Sequence, residues 1–218
     1  MDALVYRGAR RVAMESVAEP TPGPGEVMIV VAHCGICGSD LHGYLGHSAR
    51  RNATIPLVMG HEFSGKVVAH GAGVSQPALG TEVVVQPAIG CGRCPACLSG
   101  RANICPKMKI IGIERAGGFA PLVVVPADRA FVIPKGLDPR VGALTETLAV
   151  EVHAFRAFAP PLLRCVVILG AGPQGLLALQ VARLSGAEQI VISDRIEARL
   201  ALVSKHGATR CVRADQED

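Results

Sequence analysis

The chain has no tryptophan, and only two tyrosines and five phenylalanines occur among its 218 residues. It also lacks any cluster of lysine and arginine: 22 basic against 18 acidic side chains leave a scattered net charge of +4. With neither a basic patch nor rings to stack bases, nucleic acid is not an expected partner, and the charges read as solvated surface. Apolar runs are interrupted by Gly, Pro, Gln or Arg well short of the roughly 20 residues that span a bilayer. The start, Met1 to Arg7, has no basic stretch followed by an apolar one, so neither a membrane partner nor secretion is expected, and the cytoplasm is the predicted compartment. No repeat or low-complexity segment stands out. Hydrophobic residues make up 50% of the chain, enough to bury a real core.

Glycine, in contrast, is placed where it carries information. The run Cys165-Val166-Val167-Ile168-Leu169 turns on Gly170-Ala171-Gly172-Pro173-Gln174-Gly175 into Leu176-Leu177-Ala178-Leu179. This reads as strand, tight turn and helix, with G-x-G-x-x-G at the turn. The first glycine permits the turn, the second lets backbone approach a pyrophosphate, and the third lets helix pack on strand. The spacing i, i+4, i+7 of Leu177, Val181 and Leu184 predicts one buried helical face. A second strand, Gln189 to Ile192, follows and ends at Asp194. An acidic residue about twenty positions past the glycines is where ribose hydroxyls are bound, and it favours NAD over NADP. A helix from Arg195 to His206, with Ile196, Leu200 and Val203 on one face, then stops at Gly207, and Thr209 to Val212 begins a third strand. Only the first, adenosine-side half of a dinucleotide fold is encoded here.

Residues 1–137 show short β-like runs, among them Val27–Val31, Lys66–Ala69, Glu82–Val85 and Leu122–Val125, separated by Gly and Pro clusters. That spacing predicts a compact, barrel-like all-β unit. Eight cysteines occur, four of them in the fifteen residues from Cys91 to Cys105. Their spacing, C-x2-C-x2-C-x7-C through Cys91, Cys94, Cys97 and Cys105, lets one lobe, 88–107, wrap four thiolates around Zn²⁺. An iron–sulfur cluster is the competing occupant, although ferredoxin-type runs carry other spacings. Four sulfurs saturate zinc, so this site staples a loop rather than performing chemistry.

Two further stretches hold zinc-ligand types: His33-Cys34-Gly35-Ile36-Cys37-Gly38-Ser39-Asp40-Leu41-His42, and Gly60-His61-Glu62. After Pro134 one helix is predicted, with Asp138 as N-cap and Pro139 at the first position. It runs through Glu146 to about Phe158 and stops at Pro160-Pro161. A residue such as Glu146 reads on spacing alone as a solvent-facing helical glutamate. Residues 138–218 are thus expected to be a linking helix and an incomplete nucleotide-binding domain.

Four motifs in order resemble the zinc-containing medium-chain dehydrogenases, and within them the polyol branch of sorbitol, 2,3-butanediol and threonine dehydrogenases. They are GICGSDLH at Gly35 to His42, GHEFSG at Gly60 to Gly65, the four-cysteine lobe and GAGPQG at Gly170 to Gly175, joined by GGFA at Gly117 to Ala120. The resemblance implies a GroES-like catalytic domain followed by the first half of a Rossmann domain, and oxidation of a secondary alcohol or polyol with zinc and NAD. It assigns Cys37 and His61 to a catalytic zinc, with Glu62 and Glu146 on the metal or its water. Ser39 takes the substrate proton and His42 relays it, while Gly170, Gly172, Pro173, Gln174, Gly175, Asp194 and Arg199 hold the cofactor. It also implies homodimers or homotetramers for full-length relatives.

Thr147, Pro121 and Thr81 depart from the family's usual residues, and none removes a proposed ligand. Family members continue beyond the equivalent of Asp218 with the nicotinamide-side strands and main subunit contacts. A non-catalytic zinc-binding fragment or shortened relative is therefore the alternative to a dehydrogenase.

Overall fold

A computed structural model describes residues 1–158 and 164–216; the predicted helix stop at Pro160-Pro161 lies outside the described residues. The chain divides into two compact units, Met1–Glu146 and Thr147–Asp218.

In the first unit, β1 (Asp2–Tyr6) pairs antiparallel with β2 (Val12–Ser16). The long β3 (Glu26–Gly35) leads into two short helices, α1 (Gly38–Tyr44) and α2 (Ala49–Asn52). β4 (Leu57–Val58) then closes the far side of β1. β5 (Glu62–His70) and β6 (Glu82–Val85) follow, and then a ribbon of β7 (Ala88–Ile89) and β8 (Lys109–Ile110) with α3 (Pro95–Leu98) between its strands. β9 (Leu122–Pro126) and β10 (Ala130–Val132) complete a five-stranded antiparallel sheet of order β10-β6-β5-β3-β9.

The four expected strand runs all lie in this sheet, and period-two alternation of β-branched residues explains its core. Val27, Ile29, Phe63, Val67, Val83, Val85, Val123 and Val125 are all buried in one cluster. Each contributes about 1.5–3 kcal/mol relative to exposure. Two register shifts, between Met28 and Ile29 and between Val31 and His33, interrupt the β3–β5 ladder. Pairing resumes to its end at Gly35 opposite Glu62. Such bulges re-aim a strand near a site.

The linking segment differs from expectation. Asp138 does cap a helix, its Oδ1 accepting from Arg140 N at 2.8 Å, but α4 (Pro139–Gly142) ends after one turn and α5 (Thr145–Phe158) starts afresh. Gly142 lies at that break, buried against Ser64, Val84 and Ile133. A glycine there weakens helix continuation, while packing fixes α4 in place.

The second unit is a parallel sheet, β11 (Cys165–Leu169), β12 (Gln189–Asp194) and β13 (Arg210–Arg213), in that order. α6 (Pro173–Leu184) connects the first two strands and α7 (Glu197–Lys205) the last two. Leu179, Ala182, Ile190, Ile192, Leu200 and Val203 form its core. The expected α6 face is rotated: Val181 is buried but Leu184 is 90% exposed, because the small Gly175, Ala178 and Ala182 let the helix approach the sheet. Ile196 is likewise exposed, as it precedes α7 at the N-cap. β11 and β13 are the two edge strands among the described residues, and on β11 Val167 and Leu169 are exposed.

Gly175 has no room for a side chain, since a Cβ would lie 1.9 Å from the Gly170 carbonyl oxygen. Gly175→Val is expected to push α6 off β11 and cost about 3 kcal/mol, read as a lower urea midpoint for the second unit. An unchanged midpoint would contradict this packing.

Candidate functional site

At the end of β3 the chain turns into α1 through Cys37, which is the helix N-cap. Its Sγ accepts from Ser39 N at 3.4 Å, and Asp40 Oδ2 accepts from Cys37 N at 3.0 Å. This reciprocal cap, a capping box with sulfur in place of hydroxyl, fixes Cys37. His61 and Glu62 arrive from the other strand of the same ladder, after Gly60 at φ 91°. Residue 35 being glycine leaves room for the Glu62 side chain over β3: a Cβ there would come 2.6 Å from Glu62 Oε2.

The result is a Cys37–His61–Glu62 cluster whose ligand atoms all lie within 4.8 Å of one another. His61 and Glu62 are buried, so neither is an ordinary solvated side chain. Ser39 Oγ stands 3.5 Å from His61 Nε2. On the other side His61 Nδ1 lies 3.6 Å from Asp40 Oδ1, too long for a hydrogen bond, and is left without one. Glu146 is outside the three-residue cluster but near enough to feel it. Burial pushes its carboxyl up, opposed by His61 and aided by Glu62. The Cys37 thiol is also raised, chiefly by burial. A thiol, an imidazole and a carboxylate, partly desolvated and converging, are the donor set of an open zinc site. His42 lies on the exposed side of α1, its ring 6.1 Å from that of His47 and tilted.

The second cluster is Cys91, Cys94, Cys97 and Cys105, again with all ligand atoms within 4.8 Å. Cys94 Sγ and Cys105 Sγ are 3.7 Å apart, close to the roughly 3.8 Å edge of a sulfur tetrahedron with Zn–S of about 2.3 Å. Backbone N–H groups of Arg93 and Cys94 drive the Cys91 thiol down to about 6, whereas desolvation drives Cys97 up to about 11. Geometry and donor type make this a four-cysteine structural zinc site.

In the second unit Gly170 ends β11 at φ 103°, Gly172 caps α6 without a side chain, and Pro173 occupies the first turn. Gln174 is exposed beside it. The first amides of α6 therefore point at an anion-binding position. Asp194, at the end of β12, accepts from Ala171 N and Ile196 N, both at 2.8 Å. These bonds hold its carboxyl below the usual range, so one carboxylate both shapes the glycine turn and is ionised near neutrality. Arg199 Nη1 is 3.7 Å from it.

Comparison with known proteins decides the family. Residues 23–135 match the model of the alcohol dehydrogenase GroES-like domain. The chain belongs to the zinc-containing alcohol dehydrogenases. Within this family it falls with the threonine and polyol dehydrogenase branch. It is 41% identical over 200 residues to L-threonine 3-dehydrogenase of Thermococcus kodakarensis, covering 91% of this chain and 57% of that one. Among solved structures, alcohol dehydrogenase rspB of Escherichia coli CFT073 with NADH superposes with a TM-score of 0.93 at 32% identity, covering 99% of this chain and 63% of that one. A chain assigned as a zinc-binding dehydrogenase from Sinorhizobium meliloti 1021, bound to NADP, gives 0.92 at 39% identity, covering 100% and 63%. The chain thus spans about three fifths of the length of these relatives. Among the described residues, no helix of this dehydrogenase-family chain is long and apolar enough to cross a membrane.

Two residues at the first site were not singled out by sequence. Asp40 was findable, because its place three residues after Cys37 is the capping-box spacing. Arg51 was not: it sits beside Arg50 and reads as surface charge, yet its side chain is 1% exposed and ion-paired to Asp40.

Proposed function

We propose that the intact protein is a zinc- and NAD-dependent dehydrogenase that reversibly oxidises a secondary alcohol or polyol to a ketone. The convergence of Cys37, His61 and Glu62 beside the Ser39 hydroxyl carries this reading. Zinc bound there supplies a Lewis acid that lowers the pKa of an alcohol. Ser39 Oγ accepts the substrate proton, and His42, one turn along α1, passes it to solvent. Buried Glu62 and half-buried Glu146 add negative charge beside the zinc position. The Gly170–Gly175 turn, Asp194 and Arg199 would hold the adenosine end of NAD, which would supply the hydride acceptor. The test is absorbance-monitored NAD reduction by the zinc-loaded full-length protein with secondary alcohols, polyols and amino alcohols. Failure with every one of them overturns the reading.

Asp194 carries the preference for NAD, since its carboxylate would repel a 2′-phosphate. Asp194→Ala is expected to lower kcat/KM for NAD by at least about tenfold, equivalent to about 1.4 kcal/mol, and to raise the NADP-to-NAD ratio. A ratio that does not move places cofactor choice elsewhere.

For the 218-residue chain taken alone, the exposed Val167 and Leu169 on edge strand β11 favour a second reading, a zinc-binding fragment without turnover. Bound zinc with no NAD reduction by that chain, against turnover by the full-length protein, would support it.

A further inference from the structure

Among the described residues Arg51 is the largest fully buried side chain, and its guanidinium is shared among three partners. Nη2 donates to Asp40 Oδ1 at 2.7 Å, Nε donates to the Gly112 carbonyl at 3.2 Å, and Nη1 donates to the Ser39 carbonyl. Its backbone is held as well, Arg51 N donating to Ser48 Oγ, the cap of α2. Space for the side chain comes from Gly43 on α1, where a Cβ would lie 2.5 Å from Nη1.

What the guanidinium holds is the group behind the metal centre. Asp40, 2% exposed, uses Oδ2 to accept from Cys37 N and turns Oδ1 toward both Arg51 and the unpartnered His61 Nδ1. A buried carboxylate needs a charged partner, and a planar fork fixes its direction as well as its charge. With Asp40 fixed, the Cys37 backbone is fixed, and the side of His61 opposite Asp40 presents Nε2 toward Ser39.

We propose that Arg51 is a positioning residue for the Cys37–His61–Glu62 metal centre, acting through Asp40. The proposal rests on the metal reading given above. Loss of a partner behind a metal ligand typically costs about 10–100-fold in metal affinity.

The test uses the full-length protein loaded with zinc and challenged with a chelator, the four-cysteine lobe serving as internal reference. Wild type is expected to hold two zinc ions per chain. Arg51→Met is expected to release one of them at least about tenfold faster while the lobe zinc stays, and Arg51→Lys to recover part of the loss. Asp40→Asn should reproduce the effect, and the double variant Arg51→Met, Asp40→Asn should be no worse than Asp40→Asn alone, as expected for residues acting in series. If Arg51→Met does not yield folded protein, Arg51→Lys and Asp40→Asn still decide the matter. Release as slow as wild type from the folded variants, whatever their melting temperature, overturns the positioning role, as does an additive double variant. A wild type that holds only the lobe zinc overturns the metal reading itself, and this proposal with it.

Discussion

Cys37→Ala in the full-length protein is expected to reduce NAD-dependent turnover by at least about a thousandfold, a loss of roughly 4 kcal/mol of transition-state stabilisation. One of two bound zinc ions should disappear with it. Cys37 offers the only sulfur in its cluster, so its loss leaves an imidazole and a carboxylate, too few to hold zinc against water. The residue has a second duty, because its Sγ caps α1 through Ser39 N, and losing a cap costs about 1 kcal/mol. Cys37→Ser separates the two duties: the hydroxyl keeps a cap acceptor but is a poor zinc ligand. Serine is therefore expected to restore most of the melting temperature and almost none of the turnover. Activity that survives Cys37→Ala would remove the catalytic assignment.

Strands of the first unit were legible because β-branched residues alternate in runs bounded by Gly and Pro. Glu82–Val85 coincides with its strand, and Val27–Val31 lies inside the longer β3. The glycine turn was legible for a related reason: close approach at Gly175 leaves no alternative residue. Metal ligands were legible as types, but their convergence depends on a bulged ladder that brings Gly35 opposite Glu62, which spacing along the chain does not encode. Helix faces were less legible. Leu184 obeys the helical period yet is exposed, since the face of α6 that packs on the sheet is set by Gly175, Ala178, Leu179 and Ala182 rather than by the Leu177–Val181–Leu184 spacing. Arg51 was the least legible, because burial of a cation depends on a carboxylate eleven positions away.

Cys105→Ser is expected to free the lobe around α3, with loss of zinc from that site, rapid proteolytic cleavage within 88–107, and a fall in melting temperature of about 10 °C. The reason is that the lobe has almost no core of its own. α3 buries no residue, and Leu98 and Ile104 are 75% and 56% exposed. Apart from the short β7–β8 ribbon, the thiolates are what hold it together, and in such segments metal binding and local folding are coupled. Metal at the Cys37 cluster should persist, which distinguishes lobe opening from global unfolding. Acidity should act in the same direction as the substitution. The Cys91 thiol, lowered to about 6 by backbone N–H groups, is a thiolate at neutral pH. Its contribution is present above its unfolded pKa and is lost as pH falls through about 6. Protons also compete at Cys97, raised to about 11, which must give up its proton on binding zinc. Zinc retention by the lobe should therefore decline as pH is lowered from 8 toward about 5. A lobe that keeps its zinc equally well across that range would show that the four thiols do not titrate against the metal.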